Sequence, residues 1–382
     1  NLQPDTRYLF RVGFRDFALP GNPLVWDDTV REFRTAERDP EPRSLFVSLE
    51  GDDANDGLSR QSAWRTLHKA AREARAGDTV TILPGRYVEL LRPLQTGASE
   101  DRRITFRGER PLSVILDGGY LWHSRPARPH AVQLHGKAFV TIENITGERC
   151  SENVDYGGYR GGWGYAGIFR VSGGAMNVLR NCVADARLRW MVGFASFGAG
   201  VMPGMPEPEY ALKITDSVSL ACWRAVFGYA TAPLRLEHNL YYISMTGMYS
   251  ICRGPGKWVS RDCIYQDLIL GKRSNGLPIF TTPELIDSDY SCFAWMPKGL
   301  KAVHQPDRKD YQKGICGLAA WQKHSGKDSH SIEHTPGYPL TTRVDYEKNR
   351  DKVEIEIADF ILPADSPLRG KASDGTDIGP RW

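Results

Sequence analysis

Arg170, Arg187, Arg189, Arg224 and Arg253 recur through the middle of this chain at spacings that bring them toward one face of a repeating structure. A guanidinium keeps its charge at any ordinary pH and presents paired donors that match a carboxylate. A cluster of them can bind an anion, or neutralise one that forms during a reaction. Arg189 and Arg224 each stand eight residues beyond a polar corner residue (189 − 181 = 8 and 224 − 216 = 8). Counting therefore puts them in one column, on strands about 4.8 Å apart, where two cations repel unless an anion lies beside them. His135 and Tyr229 fall near the same face, with Gln133, and are residue types that move protons.

Glu148, Glu152, Asp155 and Asp185 fall on adjacent repeats close by. They could pair with the arginines, at a modest gain each. Alternatively, two carboxylates about 5–10 Å apart are what general acid and base cleavage of an acetal linkage requires. Tyr156, Tyr159, Trp163 and Tyr165 are interleaved with glycine. A loop that only seals a core would not carry so much flexible backbone, and flat rings with a polar edge suit sugar faces.

These residues are positioned by a short polar turn that recurs at Glu143-Asn144, Arg180-Asn181, Thr215-Asp216, His238-Asn239, Arg261-Asp262 and Ser288-Asp289. Each turn follows one strand-like run and precedes another, at spacings of 37, 35, 23, 23 and 27 residues. A base period of 23 with insertions marks a solenoid whose coils stack in register. The strand before the turn, the strand after it and a later third strand each form a column. Asn and Asp tolerate the left-handed backbone of a tight corner, so the corner residues are expected to be structural. The first long spacing inserts residues after the second strand, at 152–165, and the second inserts them after the third strand, at 197–209. Both insertions flank the third sheet, and inserted loops on one face of a repeat protein usually carry the binding site.

The rest of the chain frames this solenoid. Residues 1–38 read as two strands, around Tyr8, Phe10 and Val12 and around Thr29–Thr35. The Leu2-x-Pro4-x-Thr6-x-Tyr8 pattern resembles the end of a fibronectin type III module, with Tyr8 at the tyrosine corner. The chain begins at Asn1 rather than Met, which suggests a fragment or a processed form. Residues 39–43 are a proline-rich linker, and the remainder, 44–382, forms the solenoid domain. The carboxylates of Gly51–Gly57 are of the type that holds calcium, although a Gly/Asx turn explains them as well. Ser62–Ala74 is an amphipathic helix placed to cap the first coil. Coils occupy about 78–294, and an irregular tail, with a strand at Val353–Ile357, follows over 295–382.

Composition excludes little beyond extremes. With 49 basic and 46 acidic residues the formal charge is +3, so no bulk attraction to nucleic acid is implied. No apolar run is long enough to span a bilayer. Of the seven cysteines, Cys150 and Cys222 share a column two coils apart, about 10 Å, which exceeds the ~7 Å limit for a disulfide. Cys182 and Cys263 are three coils apart, so all four are expected to pack as small apolar residues, with only Cys292 and Cys316 open to pairing.

The chain resembles the secreted bacterial right-handed parallel β-helix proteins of the pectate-lyase-like type. The likeness rests on Val47-Ser48 to Gly57, Trp64-Arg65-Thr66-Leu67, Gly77-Asp78-Thr79-Val80, Pro84-Gly85-Arg86-Tyr87, Ile104-Thr105-Phe106 and Leu116-Asp117-Gly118. It returns at Asp359-Phe360 to Ser366-Pro367 and at Gly375-Thr376-Asp377-Ile378-Gly379. The resemblance implies an all-β parallel β-helix, a location outside the cell or on its surface, and a polysaccharide partner. It leaves three activities open. One is a lyase, in which similar proteins use Lys or Arg as base and often calcium as neutraliser; Arg170, Arg189, Arg224 and Arg253 are then the candidates, and Lys137 and Lys257 fall in turns. Another is a glycoside hydrolase using carboxylates such as Asp155 and Asp185. The third is a non-catalytic adhesion or surface-layer module.

Overall fold

The computed structural model describes residues 5–15, 24–35, 41–119, 130–150, 167–187, 191–200, 207–242, 246–250, 256–266, 285–294, 302–304, 315–339 and 354–382. The chain divides into two compact units, Asn1–Pro42 and Arg43–Trp382.

The smaller unit is an antiparallel ribbon. Arg7–Phe10 pairs with Arg31–Arg34, and Gly13–Arg15 pairs with Leu24–Trp26. Arg7–Phe10 and Arg31–Arg34 fall within the two expected strands, and the Gly13–Arg15 and Leu24–Trp26 pair lies between them. Tyr8 stacks on Phe33 at 5.6 Å between ring centroids, while Leu9, Trp26 and Val30 are exposed.

The larger unit is a right-handed parallel β-helix of three sheets. Among the described residues the first sheet has nine strands, running from Ser44–Val47 through Val140–Glu143 to Ile286–Asp289. The second, also of nine, runs from Gly85–Tyr87 through Ile145–Glu148 to Ile332–Glu333. The third has five strands among the described residues: Val132–His135, Gly167–Ser172, Val192–Ala199, Arg224–Ala230 and Thr246–Ser250. In the first sheet Thr141, Val178, Lys213, Arg235, Val259 and Asp287 are successive partners, giving steps of 37, 35, 22, 24 and 28 residues.

That register moves two corners. The left-handed corner residues are Asn144, Asn181, Asp216, His238, Asp262 and Tyr290, with φ between 49° and 59°. Asn239 and Asp289, expected at this position, each lie one residue to the side. Asn239 points into the coil instead, accepting from the Ser217 N–H at 2.9 Å and donating to the Ile214 carbonyl at 2.9 Å. It belongs to an internal ladder in which the Cys182 N–H meets Ser217 Oγ and the Ser291 N–H meets Ser331 Oγ. An amide there satisfies buried backbone groups that an apolar residue would strand. At the corner itself, Asn181 Nδ2 donates to Asn144 Oδ1 at 3.2 Å, an amide stack along the axis.

The core is the interior of the coil: Phe106, Phe169, Phe194, Tyr241, Tyr265 and Phe293 are fully buried. Cys150, Cys182, Cys222, Cys263 and Cys292 are all free and buried. Their thiols donate weakly to nearby carbonyls, such as Cys222 to Ala184 at 3.4 Å. Burial pushes the Cys182, Cys222, Cys263 and Cys292 thiols up to about 12. Cys292, open to pairing with Cys316 by sequence, is a free thiol.

The cap is a helix over Leu67–Glu73, shorter than the expected 62–74, because Thr66 is its N-cap and accepts from the Lys69 N–H at 3.1 Å. Asp53 fixes this cap, accepting from Thr66 Oγ1 at 2.6 Å and from the N–H groups of Arg65 and Thr66. Asp52 and Asp56 close local turns with the Ala54 and Leu58 N–H groups. The Gly51–Gly57 carboxylates are thus spent on the protein's own donors.

The tail covers the second sheet. Phe360, Leu362, Leu368 and Ile378 pack on Val183, Val218, Leu240 and Ile264. Arg381 closes the seam by donating from Nε to Asp216 Oδ1 at 2.7 Å. Of the expected strand at Val353–Ile357, Val353 lies outside the described residues, Glu354–Glu356 is irregular, and Ile357–Phe360 is a 3-10 turn held by a reciprocal Glu356/Asp359 capping box. A helix that periodicity did not reveal occupies Leu318–Ser325.

Candidate functional site

The third sheet carries three columns of strand-paired residues outside the core. Strand pairing aligns Gly167, Val192, Arg224 and Thr246; then Gln133, Arg170, Ala195, Phe227 and Tyr249; then His135, Ser172, Phe197 and Tyr229. Val132, Phe169, Phe194 and Val226 face the core, and Ile168 and Ala225 join them as consecutive inward residues, so the two-residue side-chain period is interrupted once between the first column and the second.

Arg170 and Arg224 sit on this face and converge on its aromatic residues. The Arg170 guanidinium lies 5.2 Å from the Phe197 ring centroid, and that of Arg224 lies 4.5 Å from Phe227 and 3.8 Å from Trp223. Phe197 and Phe227 meet edge to face at 5.6 Å. The result is a continuous run Arg170–Phe197–Phe227–Arg224. Stacking on a ring contributes about 0.5–2 kcal/mol per pair and leaves the N–H edges of a guanidinium directed along the surface. Arg170 Nε also donates to Ser172 Oγ at 3.0 Å. Val192, Ala195 and Phe227 form an apolar cluster with Phe197 between the two cations, and each of the first three is at most 1% exposed although its side chain points away from the coil interior.

Two expectations about this face change. Arg224, expected to share a column with Arg189, begins a third-sheet strand, and its strand partners are Val192 and Thr246. Its partner on the neighbouring coil is thus Val192, three residues beyond the position that equal counting selects. Between the second and third sheets the Asp185-to-Val192 step takes seven residues, whereas the equivalent Leu220-to-Arg224 step takes four. Equal counts from the corner do not give equal heights across turns of unequal length. The strand Val192–Ala199 also extends into the segment expected to be loop, which brings Phe197 onto the sheet. His135 is exposed on the strand that begins this sheet. Tyr229 lies in a strand, paired with Phe197. Arg189, Arg253, Asp155, Tyr156, Tyr159, Trp163 and Tyr165 lie outside the described residues.

Arg187 and Asp185 belong to a different cluster, on the outer face of the second sheet. Asp117, Glu148 and Asp185 are direct strand partners on three successive coils. Like charges this close require counterions. Arg86 bridges Asp117, at 2.8 Å, and Glu148. Arg149 pairs with Asp117 at 2.8 Å. Arg187, only 8% exposed, bonds to Glu148 at 2.7 Å and lies 3.5 Å from Asp185. Pairing with neighbouring carboxylates thus accounts for Arg187. Counting names Glu148 and Asp185 as possible arginine partners but not Asp117, which precedes the first recognised corner.

Among the described residues, no group of His, Cys, Asp and Glu is arranged to hold a metal ion, and no helix is long and apolar enough to cross a membrane.

No family model matches the chain. A curated Bacillus subtilis (strain 168) protein, "Uncharacterized protein YwoF", is 32% identical over 102 residues, which is 27% of this chain and 21% of that protein. The chain spans about a fifth of the length of that relative. Among solved structures, a GH136 lacto-N-biosidase from Eubacterium ramulus is 14% identical, with a TM-score of 0.42 over 66% of this chain and 56% of that one. A rhamnogalacturonan lyase is 12% identical, at 0.42 over 66% and 74%. A pectate lyase is 11% identical, at 0.39 over 90% and 96%. The parallel β-helix itself is established by this chain's own strand register.

Proposed function

We propose that this is an extracellular carbohydrate-active protein that binds an acidic polysaccharide on the outer face of the third sheet and cleaves it by β-elimination. One observation carries the reading: Arg170 and Arg224 flank a shared aromatic floor, Phe197 and Phe227, on an outward sheet face. The half-buried Phe197 ring, seated on the buried Phe227, offers an apolar surface to a sugar, and the two cations offer donors to its carboxylate.

In the reaction, the proton next to the uronate carboxylate is removed and its electron pair is delocalised into that carboxylate. The pair then forms the carbon–carbon double bond as the β carbon–oxygen bond breaks, and the departing oxygen takes a proton. Negative charge grows on the carboxylate as the proton leaves, and Arg170 and Arg224 stabilise it; removing one such donor typically costs about 10²–10³ in turnover. Arg189, Arg253, His135 and Tyr229 are the candidates for the base and the acid, and Arg187 holds the neighbouring carboxylates in place. Tyr156, Tyr159, Trp163 and Tyr165 are proposed as further sugar contacts.

The hydrolase alternative draws less support. Of its carboxylates, Asp185 is about 1% exposed and Glu148 about 5%, and both are bonded to Arg187. A buried, ion-paired carboxylate is poorly placed to trade protons with a substrate. The decisive assay follows ultraviolet absorbance of the unsaturated product on a panel of uronate-containing polysaccharides. Arg170→Ala and Arg224→Ala should each reduce it about 10²-fold or more. Release of reducing sugar without unsaturation would favour hydrolysis. Saturable binding with no product over days would favour a non-catalytic module.

A further inference from the structure

The first sheet also presents an outward face, and it carries a groove of about 440 Å³. That is within the ~300–1,000 Å³ range of small-ligand sites. Its floor is Thr105, Thr141 and Val178, consecutive strand partners, and Glu143 and Arg180 are partners in the next column. Arg103 and Tyr210 form one wall; Lys213 and Arg235 continue the floor. None of these residues belongs to the third-sheet site.

Most of the charge here is already matched. Arg103 pairs with Glu100 at 2.8 Å and donates from Nε to Thr141 Oγ1 at 2.8 Å. Arg235 pairs with Glu209 at 2.8 Å, and Lys213 pairs with Glu237 at 2.5 Å. Tyr210 Oη donates to Glu100 Oε1 at 3.2 Å. The exceptions are Arg180, which is exposed, and Glu143, which is half-buried: neither side chain has a hydrogen bond or ion pair among the described residues. They are direct strand neighbours. The groove therefore offers one unspent set of donors beside one unspent set of acceptors, on a floor of threonine hydroxyls; its lining carries four cations against three carboxylates, with Lys213 paired to Glu237 beyond it.

That combination suits hydroxyl groups better than anions. A carboxylate brought to Arg180 would meet Glu143 about 4.8 Å away along the sheet, and the repulsion would offset much of the gain. A sugar hydroxyl both donates and accepts, so a pair of them can satisfy Arg180 and Glu143 together. We propose that this groove is a second saccharide site, selective for an uncharged, hydroxyl-rich oligosaccharide segment, with Arg180 and Glu143 as its recognition pair. It goes beyond the reading of the third-sheet face: it rests on the same view of the chain as carbohydrate-active, but on different residues and the opposite charge preference.

Calorimetry on the intact protein, with neutral tetraoses of xylose, glucose, mannose and galactose as probes and a uronate tetramer for contrast, tests it. At least one neutral tetraose should bind, with affinity changing less than about twofold between about 50 and 500 mM salt. Arg180→Ala and Glu143→Gln should each weaken that binding about tenfold or more, roughly 1.4 kcal/mol, and Arg224→Ala should leave it unchanged. Absence of neutral-tetraose binding at millimolar concentration would overturn the proposal. So would binding indifferent to both substitutions, or binding confined to the uronate tetramer. Product absorbance on uronate polymers reads the third-sheet site separately, so failure of one site leaves the other's result intact.

Discussion

Replacing Arg187 by Met is the sharpest test of what holds the central coils together. Met fills a similar volume and keeps a side chain on a backbone whose φ is 50°, so the left-handed strain is common to both proteins. What changes is charge. Glu148 loses its 2.7 Å partner, and Asp185 loses the guanidinium 3.5 Å away. Both carboxylates are almost fully buried, and Arg86, whose side chain is 46% exposed, is left to neutralise Glu148. Breaking a buried pair from one side costs about 3–5 kcal/mol. Unfolding entropy of ~2.1 cal/mol/K per residue over the Arg43–Trp382 unit amounts to ~0.7 kcal/mol/K. The melting temperature should therefore fall by about 4–7 °C in calorimetry. Adding Glu148→Gln removes the stranded charge and should recover part of the loss. Arg86→Ala, at a more exposed position, should cost about 1 kcal/mol. A melting point for Arg187→Met within about 1 °C of the parent, or a larger loss from Arg86→Ala, would refute the view that Arg187 is the main counterion of this column.

Other perturbations probe separate features. Asn181→Ala should cost about 1–3 kcal/mol from left-handed strain plus the lost bond to Asn144, measured by chemical denaturation, while Asn181→Gly should cost clearly less. Gly228→Ala would place a methyl 1.7 Å from the Ser196 carbonyl oxygen at φ 136°, so the folded yield should collapse; a variant melting normally would contradict the close approach of these strands. Burial holds the Asp328 carboxyl above its ordinary range despite hydrogen bonds from Ser288, Ser331 and Trp321. A raised acid favours the fold most below its unfolded pKa, and that contribution is lost as pH rises through the folded value. Relative to Asp328→Asn, the parent should therefore be most stable in acid and lose ground as pH rises above about 4; a gap that widens with pH would reverse the sign. Alkylation of the native protein mapped by mass spectrometry should spare Cys150, Cys182, Cys222, Cys263 and Cys292, which are buried, and label them only after unfolding.

The sequence by itself determined the solenoid. Strand-like runs separated by Asn and Asp corners repeat because each coil needs one left-handed residue at the same bend, and few residues adopt that backbone cheaply. The same local rule kept the cysteines inside the coil and placed Arg170 and His135 on an outward face, since side chains alternate along a strand. Where two residues compete for the corner the rule slips by one: His238 turns the chain, and Asn239 is drawn inward because buried N–H and carbonyl groups of the neighbouring coils need an amide there. Tertiary structure alone decided the rest. Turns of unequal length set the height at which Arg224 enters the third sheet, and counting from Asp216 cannot register three residues added to another coil's turn. Pairing across coils, not spacing, separated Arg187 and Asp185, spent on one another and on Glu148, from Arg170 and Arg224, which converge on Phe197 and Phe227. Nor could local pattern show that the tail would cover the second sheet and leave a polar groove on the first, because such contacts join residues more than a hundred apart, and only the closed packing of the whole unit brings them into reach.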